Sequence, residues 1–199
     1  MNKDQILVGL YNYLIANLPK EAINIILLND IRVENFFAIH TGVYLDNLLN
    51  AGHINRYSFQ HTILLQNPER VHIDIAFTDT NNIQTFLELK HFSITRNRGQ
   101  GRRLSFYTSN SKEGKKVGIV GDCVKLDTLR NNGFIDNSVN LICCAFVTNK
   151  PIQNDIDAMT NSFQNYPELN GWNIVYPLPL NEQQQNFGII TLQKNGIFP

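Results

Sequence analysis

The stretch RVHIDIAFTDTNNIQTFLELKHF, residues 70–92, contains two apolar segments joined by the polar turn TDTNN. Alternation of side chains in both segments is typical of a β-hairpin whose strands each bury one face. Three charged residues interrupt this apolar pattern, namely Asp74 in the first strand and Glu88 and Lys90 in the second. Because charged side chains are costly to bury without partners, their place in the hairpin requires a chemical explanation.

Side chains alternate across a β-strand, so the position of each charged residue predicts the face on which it lies. Glu88 and Lys90 are expected to share one face of the second strand. In the first strand, Asp74 is expected on the face opposite to Val71, Ile73, Ile75 and Phe77. Each strand therefore has one predicted apolar face and one face that carries charge.

The five-residue turn 78–82 predicts how the two strands pair. If Phe77 pairs with Ile83, Asp74 lies opposite Phe86 and diagonal to Glu88, with Cβ atoms about 7 Å apart. Two carboxylates at that separation can share a Mg²⁺ ion, whose bonds to oxygen are about 2.1 Å long. Such an ion would offset their repulsion, polarise a phosphoryl oxygen and supply a hydroxide near neutral pH. Lys90 would orient that water or stabilise the negative charge that develops on a phosphate.

The segments around the hairpin predict a mixed α/β fold. Apolar positions at helical spacing predict helices over residues 4–17 and 33–50, the second followed by Gly52. The strands 57–65, 70–77 and 83–90 form a predicted antiparallel meander. Asp122 is expected to cap a helix that Gly133 ends, and the continuous apolar run 139–148 predicts a strand buried on both faces. A helix over 151–165 and two edge strands, WNIVYPL and FGIITLQ, complete a central mixed sheet flanked by helices on both faces.

A basic segment follows the hairpin. Between Ser93 and Lys116 there are seven basic residues and one acidic residue, a net charge of +6, although the whole chain is neutral. We interpret this segment as a long loop suited to phosphate contacts, with solubility as the alternative reason for its charge. The candidate nucleic-acid-binding residues are Arg96, Arg98, Arg102, Arg103, Lys112, Lys115 and Lys116, together with Lys125, which is equally well explained as a solvated lysine.

Composition narrows the class of protein further. With 199 residues, 43% of them hydrophobic, the chain is expected to form a single domain over 1–199. Neither a long uncharged apolar run nor a signal peptide is recognisable, which predicts a cytoplasmic protein that does not associate with a membrane. The three cysteines indicate neither a disulfide framework nor a zinc site.

Asp74 within IDI, followed by Glu88-Leu89-Lys90 as E-x-K, resembles the motif of the PD-(D/E)XK nuclease superfamily, the restriction-endonuclease-like proteins. Their core has the order helix, three strands, helix, strand (αβββαβ), which the stretch from Val33 to Thr148 is predicted to reproduce over more than half of the chain. The proline that precedes the aspartate in the family motif is replaced here by Ile73.

This resemblance implies roles for individual residues. Asp74 and Glu88 would bind Mg²⁺, for which Mn²⁺ could substitute, and the carbonyl of Leu89 would be a further ligand. Lys90 would assist the attacking water, and Glu34 is the candidate for the additional glutamate that many relatives carry on the first core helix. The expected activity is that of a Mg²⁺-dependent DNA endonuclease of the restriction or repair type, and a homodimer is expected if it cuts both strands at a symmetric site.

Two alternatives stay open at this point. The chain could be a catalytically inactive nucleic-acid-binding or protein-interaction domain on the same fold. The charged residues could also form a surface ion pair of Lys90 with Asp74 or Glu88, contributing at most about 1 kcal/mol. Metal binding that depends on Asp74 would separate the enzyme from both alternatives.

Overall fold

The computed structural model of the chain describes residues 1–18, 33–66, 69–96, 102–105, 108–110, 116–148, 153–175 and 187–196. The helices in these ranges are α1 (Lys3–Asn17), α2 (Val33–Asn50), α3 (Gly118–Asn131) and α4 (Gln153–Phe163), followed by a 3₁₀ turn (Pro167–Leu169). None of the helices in this part of the chain combines the length and apolar character needed to cross a membrane.

The strands are β1 (Ile54–Leu64), β2 (Arg70–Asp79), β3 (Gln84–Arg96), β4 (Arg102–Ser105), β5 (Thr108–Asn110), β6 (Lys116–Val117), β7 (Asn140–Thr148), β8 (Asn173–Val175) and β9 (Phe187–Lys194). Six of them lie side by side in the order β1-β2-β3-β7-β9-β8, and β4 pairs with the far end of β3. The β3–β7 pair is parallel and the other pairs are antiparallel. The predicted mixed α/β sheet is thus confirmed.

Two apolar cores, one on each face of the sheet, explain why its central strand β7 is buried on both sides. Successive residues of β7 alternate between the cores: Leu141 and Cys143 pack with α3 and α4, whereas Ile142 and Cys144 pack with α1 and α2. We call these sides of the sheet the α3 face and the α2 face. Every residue of β7 is buried, as its unbroken apolar sequence predicts.

Helix α2 has the predicted limits, and the residues that follow it explain why it ends at Asn50. Gly52 follows it with φ +70°, a left-handed conformation that glycine adopts without strain. The amide of Gly52 donates to Leu49 O and that of His53 donates to Leu48 O, so two carbonyls of the last turn gain partners. Helix α2 is therefore held firmly where the chain turns into β1.

The pairing of β2 with β3 differs from the predicted register. Phe77 pairs with Thr85, two residues beyond the predicted partner Ile83, and the ladder runs to Ile75↔Leu87. The prediction is wrong because the turn is tighter than assumed: the amide of Asp79 donates to Ile83 O at 3.0 Å. Extending the observed register by one residue would bring Asp74 opposite Glu88.

A kink in β1 and β2 changes the face on which their side chains lie. Ile73 and Ile75 are both fully buried, but Ile73 packs on the α3 face and Ile75 on the α2 face. In a regular strand they would share a face, as predicted. In β1, Gln60 has φ +47°, and the paired residues on either side of it are Phe59↔Ile75 and His61↔Ile73. The predicted common face fails for Val71 and Ile73, which both pack on the α3 face, because both strands reverse their faces at this point.

Three further expectations are corrected. The segment after residue 92 is not simply a loop, because β3 continues to Arg96 and pairs with β4. Asp122 lies inside α3 and does not cap it, since the helix begins at Gly118. Strand β9, predicted at an edge, lies between β7 and β8.

Candidate functional site

Glu88 and Lys90 lie on the part of β3 that α3 covers. Glu88 is 2% exposed, and its Oε1 is 2.5 Å from Lys125 Nζ. Lys90 Nζ is 3.2 Å from Asp122 Oδ2, a contact at ion-pair distance whose angles fall short of a hydrogen bond. Asp122 and Lys125 are three residues apart on α3 and therefore face the same way. Two acid–base pairs thus join β3 to α3.

Asp74 lies at the kink of β2, where the ladder with β3 ends. Its Oδ2 accepts a hydrogen bond from the backbone amide of Leu89 at 2.8 Å. The carboxylate therefore takes the position of a backbone partner and is held against β3. Leu89 lies between Glu88 and Lys90 on β3, so this hydrogen bond brings Asp74 next to both residues.

Glu34 reaches these residues from the first turn of α2, which lies on the other face of the sheet. Its Oε1 accepts a hydrogen bond from the amide of His91 at 3.1 Å. The Glu34 carboxylate also contributes to raising the pKa of Lys90. The predicted residues Asp74, Glu88, Lys90 and Glu34 are thus brought together around residues 88–91 of β3. We call the carboxylates of Glu34, Asp74, Glu88 and Asp122 the acidic cluster.

Burial dominates the electrostatics of the carboxylates. It raises the pKa of Glu88 to about 8, an effect that Lys125 opposes and that Asp122 and Asp74 reinforce. Burial likewise raises the pKa of Asp122, with Lys90 and Lys125 opposing the shift. Two ammonium groups therefore do not fully compensate for the desolvation and mutual repulsion of these carboxylates.

Lys90 remains a cation despite partial burial. Burial lowers its pKa, but the carboxylates of Asp122, Glu34 and Asp74 outweigh that effect, so the net shift is upward. The Lys90 side chain is 25% exposed, so it is not closed off from solvent. It can donate hydrogen bonds and stabilise negative charge, but it is not suited to accept a proton near neutral pH.

The candidate nucleic-acid-binding residues are only partly placed. Arg96, Arg102, Arg103 and Lys116 lie on β3, β4 and β6, but the positions of their side chains are not among the described ones. Arg98, Lys112 and Lys115 lie outside the described residues. Lys125 contacts the acidic cluster and also donates to His72 O at 3.4 Å.

The sequence of residues 70–92 does not indicate that Asp122 belongs to the candidate site. Its predicted role is that of a helix cap, whereas its side chain faces β3. The available signal was the D-x-x-K spacing of Asp122 and Lys125, which places an acid and a base on one side of a helix. Recognising their partners would have required knowing where α3 lies against the sheet.

A divalent cation is compatible with these residues. In the described part of the chain, no three His, Cys, Asp or Glu side chains form a ready-made metal site. Mg²⁺, however, is commonly held by one or two carboxylates together with water and substrate oxygens. Asp74 and Glu88 supply two oxygen ligands of this kind, and the raised pKa of Glu88 shows that positive charge is in deficit there. We conclude that the donor set fits Mg²⁺ or Mn²⁺.

Comparisons of the chain with protein-family profiles, with curated proteins and with solved structures find no match.

Proposed function

We propose that this chain is a metal-dependent deoxyribonuclease that hydrolyses phosphodiester bonds in DNA, an endonuclease of the restriction or repair type. The observation that carries the proposal is the convergence of Asp74, Glu88 and Lys90 on neighbouring positions of β2 and β3, with the buried carboxylate of Glu88 near the partly exposed side chain of Lys90. The order α2, β1, β2, β3, α3, β7, interrupted by the short strands β4, β5 and β6 between β3 and α3, supports a likeness to the restriction-endonuclease-like core, as does the parallel pairing of β7 with β3.

Asp74 and Glu88 would hold the cation, and the Leu89 carbonyl and Glu34 would lie beside it. When bound, a divalent ion would supply electrophilic assistance to the phosphoryl group and activate water. Asp74 is already fixed by the Leu89 amide. Glu88, in contrast, would exchange its contact with the Lys125 ammonium for the ion.

Lys90 has the clearest role among the residues of the chain. Its ammonium is kept protonated by three carboxylates and held in place by one of them, Asp122. A fixed cation of this kind stabilises the additional negative charge that a phosphodiester acquires on attack, because it needs no reorganisation during the reaction. It can also orient the attacking water through a hydrogen bond. Asp122 is therefore a positioning residue in this proposal.

The second candidate function is an inactive nucleic-acid-binding or protein-interaction domain. The observation in its favour is that lysines already occupy the acidic cluster, with contacts of 2.5 Å to Glu88 and 3.2 Å to Asp122. These pairs connect α3 to β3 without any metal ion. An inactive domain would keep this arrangement and gain nothing from a divalent cation.

Plasmid cleavage separates the two candidates. Supercoiled DNA is incubated with the protein in Mg²⁺, in Mn²⁺ and with a chelator, and the wild type is compared with Lys90→Met and Lys194→Met. Lys194 is a matched control, because it also forms an ion pair with an aspartate, Asp127, at 2.8 Å and its side chain is 28% exposed. We expect metal-dependent cutting that Lys90→Met reduces by about 100-fold or more, while Lys194→Met retains it.

Both variants lose one lysine–aspartate pair, so a similar change in thermal stability is expected in each. Cutting is therefore the readout that distinguishes them. Equal activity of the two variants, or DNA left intact by the wild type in both metals, would favour the inactive domain.

A further inference from the structure

A small polar cavity of about 270 Å³ opens on β1, β2 and β3. The residues with polar side chains that line it are Arg56, Tyr57, Ser58, His61, Thr78 and Gln84. All three strands of the meander contribute to it, and on β1 its lining residues Ser58 and His61 lie on either side of the kink at Gln60. It is separate from the residues assigned above to metal binding and hydrolysis.

The cavity lies on the same face of the sheet as Glu88. Arg56 pairs with Thr78, and Thr78 pairs with Gln84, so the three side chains stand in one row across the strands. Gln84 and Glu88 are four residues apart on β3 and therefore share a face. At about 3.3 Å per residue, they are separated by about 13 Å along the strand.

The chemistry of the lining favours an anion. Arg56 Nε donates to Thr78 Oγ1 at 3.1 Å, which orients the guanidinium and leaves its terminal nitrogens to other partners. None of the described residues lining the cavity carries a carboxylate. Ser58 and Gln84 add a hydroxyl and an amide donor.

His61 completes the lining as a neutral group. Its ring lies 5.0 Å from that of Phe86, and burial, followed by the charge of Arg56, lowers its pKa. A neutral imidazole can still donate one hydrogen bond to an anion. The cavity thus offers one fixed positive charge surrounded by neutral donors.

We propose that this cavity is a phosphate subsite, in which Arg56 binds a backbone phosphate of the DNA strand a few nucleotides from the phosphodiester at the Asp74–Glu88 cluster. The inference rests on the proposed function, because it assigns a place to the substrate of that site. The spacing is suitable, since phosphates of one DNA strand recur about every 3.4 Å along the helix axis and about 13 Å therefore covers several of them. The shared sheet face would let one strand reach both places.

DNA binding measured without metal tests the subsite separately from hydrolysis. Fluorescence anisotropy of a labelled duplex oligonucleotide is recorded in chelator at several salt concentrations for the wild type, Arg56→Ala, Arg56→Lys and Arg70→Ala. Arg70→Ala is the control because it makes the same change in net charge. Arg70 is exposed and lies at the opposite end of β2 from the cavity.

We expect Arg56→Ala to weaken binding by about tenfold and to reduce the slope of log K against log salt by about one. Arg56→Lys should retain the slope and lose part of the affinity, and Arg70→Ala should behave as the wild type. Arg56→Lys also covers the case in which Arg56→Ala does not fold, since it keeps the charge beside Thr78. Equal effects of Arg56→Ala and Arg70→Ala, or no DNA binding by the wild type, would overturn the subsite.

The outcomes for the two proposals are distinguishable. Wild-type cutting in Mg²⁺ together with unchanged binding by Arg56→Ala would remove the subsite and leave the nuclease. Arg56-dependent binding without cutting would keep the subsite and assign the chain to the class of inactive binding domains.

Discussion

Glu88 has its carboxylate almost wholly removed from water, with a single ammonium, that of Lys125, lying against it. A pKa of about 8 means that the group holds its proton at neutral pH unless more positive charge is supplied. A glutamine would fill the same space without the cost of burying an ionisable group. The presence of an ionisable group here is thus more readily explained by a cation that binds it than by stability.

The raised pKa of Glu88 has a consequence for stability. Between its ordinary value of 4.5 and its folded value of about 8, the folded protein binds more protons than the unfolded chain. The free energy of unfolding contributed by Glu88 is therefore lost as the pH rises through this window. We expect the wild type, in chelator, to lose about 1 kcal/mol more than Glu88→Gln between pH 7 and pH 8.

Urea unfolding of both proteins at these two pH values measures the difference. Glu69→Gln, at an exposed glutamate, is the control and should follow the wild type. Parallel behaviour of the wild type and Glu88→Gln would mean that Glu88 is ionised in the folded protein at neutral pH.

The kink in β1 and β2 determines where the carboxylate of Asp74 lies. On one side of it, Phe59 packs over Gly42 of α2, so closely that a Cβ at Gly42 would be 2.2 Å from Phe59 Cζ. On the other side, the ring of His61 lies against Phe86 on the α3 face. Asp74 occupies the corresponding point of β2, where its side chain is free of the regular alternation and turns toward the Leu89 amide.

Gln60 provides a test of this kink. Its φ of +47° costs about 1–2 kcal/mol for a residue with a Cβ, whereas glycine adopts it freely but loses about 0.5–1 kcal/mol in chain entropy. We expect Gln60→Gly to be at least as stable as the wild type. Ser58→Gly, at an exposed position of the same strand, should lose about 0.5–1 kcal/mol.

Thermal and urea unfolding of the two variants give the comparison. A loss for Gln60→Gly as large as that for Ser58→Gly would show that β1 is regular at residue 60. The kink would then have to be explained by β2 alone.

Local patterns predicted the elements well where one physical effect dominates. The unbroken apolar run of β7 requires burial on both faces, and Gly52 and Gly133, with φ +70° and +75°, follow α2 and α3 as predicted. The kink was not predictable, because it depends on two strands changing together and Gln60 carries no signal for a left-handed conformation. The continuation of β3 to Arg96 was missed for a similar reason, since its partner β4 lies beyond a glycine-containing segment.

The candidate site is assembled from four elements that are distant in sequence. Asp74, Glu88 and Lys90 could be grouped from the hairpin alone, because a short turn pairs their strands, although the register differs from the predicted one and Asp74 lies at a kink. Lys125 and Asp122 could not be added to the group, since only tertiary packing sets the rotation of α3 over β3. The hairpin pattern therefore grouped the charged residues of β2 and β3 but not Lys125, which pairs with Glu88.

If a divalent ion binds this centre in the folded chain only, it must stabilise the whole molecule. At a concentration 100 times its dissociation constant, such a ligand adds about 2.7 kcal/mol to the free energy of unfolding. For a chain of about 200 residues this corresponds to an increase in Tm of several degrees. We expect Mn²⁺ to produce this increase in the wild type and to have little effect on Asp74→Asn, because the variant lacks one of the two carboxylates that would hold the ion.

Asp127→Asn is the matched control for Asp74→Asn. Its carboxylate is likewise held by hydrogen bonds, from Trp172 Nε1 and Lys194 Nζ, both at 2.8 Å, but it lies outside the acidic cluster. Differential scanning calorimetry of the three proteins, each with Mn²⁺ and with chelator, gives the comparison. An increase in Tm that Asp74→Asn retains would place the ion elsewhere. No increase in the wild type would leave Lys125 as the cation that pairs with Glu88.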